Sequence, residues 1–154
     1  MLRDRLTARG HLRVDKFSAE GVFIESVEAH NIFLTVGINE IWALVTGRSN
    51  NTFSATTATI GIGDSAAAAA AGQVDLMATT NTSYMPMSTG YPTAPSAGTV
   101  QFQAVFGSTN ANFVWNEFVI RHAGSLICID RGVQPLGTKV AGTKWTATVS
   151  LSIS

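Results

Sequence analysis

The chain has 154 residues, enough for one domain with a real core, and ten Lys and Arg balance ten Asp and Glu. Only 13% of residues are charged, so 18 Thr and 13 Ser carry much of the polarity, and a strongly basic nucleic-acid binder is not expected. A surface this poor in charge is weakly protected against association, which suits a protein packed against others.

Charge is unevenly placed. Residues 1–16 hold five basic residues (Arg3, Arg5, Arg9, Arg13, Lys16) against two acidic ones, a net +3, and the rest carries −3. The sequence therefore suggests a basic N-terminal arm over 1–16, followed by a single β-sandwich domain over 17–154. Cys128 is the only cysteine, lies in an apolar run, and reads as a buried, inert thiol. With no apolar run of eighteen residues and no signal-peptide pattern, the expectation is a soluble product of a cytoplasm, with no membrane partner.

In chain order, 11–16 and 21–27 read as two short strands and 30–36 as a third, broken at Gly37. Ile38, Ile41, Trp42 and Val45 recur at i, i+3, i+4, i+7, so a short amphipathic helix is predicted over about 38–46, with Gly47 as its stop. Residues 57–63 resume as a strand. Asp64-Ser65 before six alanines, Ala66 to Ala71, predicts a capped helical turn over about 65–71. Residues 79–98 hold three of the four prolines and read as a long loop suited to an extended contact, with a short strand near Tyr84.

Val100, Phe102, Ala104 and Phe106 alternate with polar residues, as a half-buried strand does. Phe113 to Ile120 is apolar on both faces, which predicts a central strand covered on both sides. Leu126 to Ile129 is short, and 137–142 makes a turn. From Lys144 to Ser154, Trp145, Ala147, Val149, Leu151 and Ile153 alternate with Lys, Thr and Ser. The fold class predicted is all-β, an antiparallel β-sandwich or jelly roll with one short helix.

Little in the chain points to catalysis. The three histidines, His11, His30 and His122, share no metal-like spacing, and no cofactor or metal is expected. Gly61-Ile62-Gly63-Asp64 lacks the remaining residues of a phosphate loop and reads as a turn pair. Glu117 interrupts an apolar strand, where a charge needs a partner such as Arg121, Arg131 or backbone N–H groups. No Gly-x-Ser-x-Gly elbow exists, so an enzyme is not expected.

Several blocks, in order, resemble a recurrent class of small tailed-bacteriophage virion proteins. They are Glu28 to Ile41, Ile60 to Ser65 with Asp75-Leu76, Gly90-Tyr91-Pro92, Val100 to Gly107, Ala111 to Phe118, Leu136 to Lys139 and the Trp145-Thr146 strand. The resemblance implies a virion structural part and carries no catalytic residues. The expectation is a capsid decoration, or cement, protein on the major capsid protein, as a homotrimer. The alternative is a tail, fibre or baseplate module with a receptor- or glycan-facing surface. Arg3, Arg5, Arg9, Arg13, Tyr84, Tyr91 and Glu117 are the expected intersubunit contacts.

Overall fold

The computed structural model describes residues 6–154. Its elements run β1 (Ala8–Phe17), β2 (Phe23–Phe33), α1 (Thr35–Val45), β3 (Ala58–Gly63), β4 (Thr82–Pro86), β5 (Thr99–Phe106), β6 (Val114–His122), β7 (Cys128–Thr138) and β8 (Lys144–Ile153). All strand pairs are antiparallel, in the order β4-β3-β6-β7-β2-β1-β8-β5. The all-β class with a single helix is as the sequence indicates.

The middle of the sheet is its weakest join. β2 pairs with β7 only over Asn31–Phe33 against Asp130–Gly132. The sheet bends at this seam into two four-stranded leaves, β4-β3-β6-β7 and β2-β1-β8-β5, whose inner faces pack on each other. At the other side the chain after β4 bonds to β5: Ser88 N–H reaches Gln103 O at 2.7 Å and Thr93 N–H reaches Gln101 O at 2.9 Å. The result is nearly closed and barrel-like. Residues 79–98 are thus largely spent within the chain, on β4 and on covering the β5 edge, which would otherwise present unpaired backbone groups.

The core follows the predicted alternation. Trp145, Ala147, Val149 and Leu151 of β8 and Phe102, Ala104 and Phe106 of β5 point inward. Trp115 anchors the interior, edge-to-face with Phe106 and with Trp145, both at 4.8 Å between ring centroids. Its Nε1–H donates to Ala111 O at 2.9 Å, which satisfies the one polar atom of the ring.

Five expectations change. Residues 8–16 are no arm: β1 pairs with β2 on one side and β8 on the other, so a deletion of residues 1–10 would cut into the sheet. Alternation explains this, since Arg9, His11, Arg13 and Asp15 share the outer face while Leu12 and Val14 are buried. Lys16 has the inward phase; its ammonium covers the Trp145 ring at 4.5 Å and pairs with Glu25 at 2.7 Å. The strands expected at 21–27 and 30–36 fuse into β2. Gly37 does not break the chain; it is buried in α1, where a Cβ would run into the Ile129 backbone.

The Ala-rich turn is not helical. Residues 64–70 have no regular structure. Six alanines are too few to pay for a helix nucleus, and tertiary hydrogen bonds hold the segment extended. β7 extends to Thr138, well past the expected strand end at Ile129.

Candidate functional site

The segment 64–78 crosses the outer face of β3, β6 and β7 as a strap, fastened by buried charge. Along β6 a register shift between Trp115 and Glu117 turns Trp115 into the core and Glu117 outward beneath the strap. Glu117 and Arg131 are fully buried there, with Arg131 Nη2 2.7 Å and Nε 2.9 Å from Glu117 Oε2. Met77 and Ala78 donate their N–H groups to the two carboxylate oxygens at 2.8 and 2.7 Å. Arg131 also donates to Gln73 Oε1 at 2.8 Å and Ala67 O at 3.0 Å. Every polar side of this pair is satisfied, which is what a buried ion pair requires.

A second cluster lies beside it. Arg121 stacks on the Tyr84 ring, its Cζ 3.3 Å from the centroid, and donates to Asp75 Oδ2 at 3.0 Å. Asp75 Oδ1 accepts from the Tyr84 hydroxyl at 2.8 Å, Leu76 N–H at 2.8 Å and the Cys128 thiol at 3.3 Å. Arg121 Nε has no partner. Burial, followed by the Asp75 carboxylate, pushes both the Tyr84 hydroxyl and the Cys128 thiol far above their ordinary range. Cys128 is therefore held as the thiol, the unreactive form. The cluster fastens Asp75 of the strap to β4, β6 and β7.

The Gly61 and Gly63 pair makes room for both clusters. Gly61 lies opposite Tyr84, and a Cβ there would strike the Tyr84 ring and come 2.8 Å from Val119 Cγ2. A Cβ on Gly63 would enter the Glu117 carboxylate. These glycines sit within β3 rather than in a turn, and strip its outer face so that ring and strap lie flat.

Asp130, also fully buried, stands on the seam between the leaves. Its Oδ1 accepts Ile120 N–H at 2.7 Å and Oδ2 meets Asn31 Nδ2. Burial raises its carboxyl to about 7, against the partial opposition of these hydrogen bonds. Asn31 Oδ1 has no partner.

The expected contact residues do not converge. Arg3 and Arg5 lie outside the described residues. Arg9 and Arg13 share the outer face of β1, Arg13 paired with Asp15 at 2.8 Å. Tyr84 is locked under Arg121, and the Tyr91 hydroxyl accepts from Gln103 Nε2 at 3.3 Å. Glu117 is fully buried within the chain; of the expected partners Arg121, Arg131 and backbone N–H groups, it has Arg131 and the backbone groups. The sequence reading missed Asp130, and missed Asp75 as the hub that fastens the strap. Asp130 carried the sign that flagged Glu117, a charge at an apolar run, while Asp75 carried none.

The outer side of α1 is the largest departure. Of the stripe Ile38, Ile41, Trp42 and Val45, three residues, Ile38, Trp42 and Val45, are 40, 60 and 69% exposed, while Gly37 and Glu40 are buried. Ile41 and Leu44 line an apolar cleft of about 370 Å³ with Phe53 and Phe102, and Val36 packs on Leu34, Val119 and Cys128. Among the described residues no three His, Cys, Asp or Glu side chains form a metal-binding group, and no helix is long and apolar enough to cross a membrane. No family model, no curated protein and no solved structure matches the chain.

Proposed function

We propose that the chain is a structural protein of a tailed-bacteriophage virion: a capsid decoration protein that docks on the major capsid protein through helix α1 and acts as a homotrimer. The observation that carries this reading is the solvent-facing Ile38, Trp42 and Val45 stripe on a rigid β scaffold. An exposed apolar stripe with an aromatic at its centre is the composition of an interface core. The ordered sequence blocks that resemble small virion proteins support it, and the first of them, Glu28 to Ile41, runs into this helix. Glu117, Arg131, Arg121 and Asp75 are consumed in fastening the strap, which suits a part that must be stiff.

The test is attachment. Trp42→Ser and Val45→Ser proteins are added to particles lacking this protein, and bound copies are counted. Losing a central aromatic anchor costs on the order of 2 kcal/mol per contact, or roughly thirtyfold in affinity. Unchanged occupancy would remove α1 as the docking face.

A second reading is a tail, fibre or baseplate module that faces a receptor. The outer face of β2-β1-β8-β5 supports it: its rows are mainly Ser, Thr, Gln, His and Arg, with Asp15, Glu28 and Val105 among them.

A further inference from the structure

We propose that the outer face of β1, β2 and β8 binds an acidic saccharide, with Arg9, His11 and His30 holding the anionic group and Ser150, Ser152 and Thr99 its hydroxyls. The proposal rests on this face alone and does not require α1 to dock on a shell.

Register places these side chains together. His11 pairs with His30 on one side and Ser150 on the other. Arg9 pairs with Ser152, which pairs with Thr99 of β5. Cross-strand partners share a face of the sheet, so the six project from one patch. Together with Gly10 they line a groove of about 290 Å³. The serines are short and the Arg and His side chains are long, which leaves a floor of hydroxyls beside a cationic wall.

The charges around the groove favour an anion. The two imidazoles stand 5.6 Å apart between centroids, so one anionic group can reach both. Arg13 is occupied by Asp15. Glu28 faces His11 from β2 at 3.5 Å and is the carboxylate a ligand must displace or share. Arg9 makes no ion pair among the described residues. No apolar side chain lines the groove, so a hydrocarbon is not the ligand. One arginine without a lysine track gives too few phosphate contacts for a nucleic acid, while neighbouring hydroxyls match the polyol part of a sugar.

The test is a titration of isotope-labelled protein with N-acetylneuraminic acid and with glucuronic acid, followed by amide NMR shifts. Glucose, inorganic phosphate and a short oligonucleotide are the comparisons. Both acidic sugars should shift the amides of Arg9 to His11, His30 and Ser150 to Ser152. Arg9→Gln should weaken binding by about tenfold, the loss of one charge-assisted hydrogen bond, with the melting temperature unchanged. His11→Gln with His30→Gln should likewise weaken binding of both acids. No shift at these amides would overturn the proposal. So would glucose or phosphate binding as strongly as the acids, or the oligonucleotide binding more tightly.

Discussion

Arg131 and Glu117 meet on neighbouring strands with no water-accessible surface on either side chain, 2.7 Å apart. The pair binds the strap through Met77, Ala78, Gln73 and Ala67. Glu117→Ala leaves a buried guanidinium without its counter-charge and should cost about 3–5 kcal/mol. Replacing both residues with apolar ones removes the unpaired charge, so the double variant should retain more stability than Glu117→Ala. Urea midpoints with an unchanged m-value would report this; additive losses would show that the residues act independently.

Gly61 has a simpler consequence. Alanine there forces the Tyr84 ring and Val119 apart, and overpacking of that kind costs about 1–3 kcal/mol. Gly61→Ala should loosen the strap first, seen as faster amide exchange at Leu76 to Ala78. Wild-type exchange there would mean that the ring moves freely.

The third expectation concerns pH. Asp130 has its folded-state carboxyl at about 7 against an ordinary 3.8, so the folded protein holds a proton that the unfolded chain has released. Its stabilising contribution is full below about 3.8 and is lost as pH rises through about 7, by on the order of 4 kcal/mol at most. Asp130→Asn is neutral at every pH. Its melting temperature should match wild type near pH 4 and exceed it at pH 8. An equal difference at both values would place the proton elsewhere.

Cys128 should resist thiol reagents. The thiol is buried and donates to Asp75, so at pH 8 it should be modified only as fast as the protein opens. Asp75→Asn, which removes the neighbouring negative charge, should raise reactivity. Rapid labelling of the native wild type would contradict the placement of the strap.

The legible parts of this fold were those where one face meets water. β5 and β8 show clean alternation because their outer sides are mostly Gln, Thr and Ser. α1 was legible as a helix but not in its facing: the Ile38, Trp42, Val45 spacing says that a stripe exists and is silent about what covers it. β7 was hidden because Asp130 and Arg131 break its apolar run, and both are tolerated only through partners distant in sequence, Asn31 and Glu117. Glu117 could be flagged because burying a charge is expensive. Asp75 gave no such sign, since its neighbours in sequence are those of an ordinary loop. The alanine run misled because local propensity is weak beside a buried guanidinium that needs a carbonyl. Lys16 was counted with the solvent-facing charges of an arm because nothing local shows that it covers Trp145.

The most direct measurement is the number of copies per purified virion, by quantitative mass spectrometry against the major capsid protein, for wild type and Trp42→Ser. Hundreds of copies in fixed ratio to the shell subunit, falling sharply in the variant, are expected of a decoration protein docked through α1. Absence from the particle, or only a few to a few tens of copies, would contradict it.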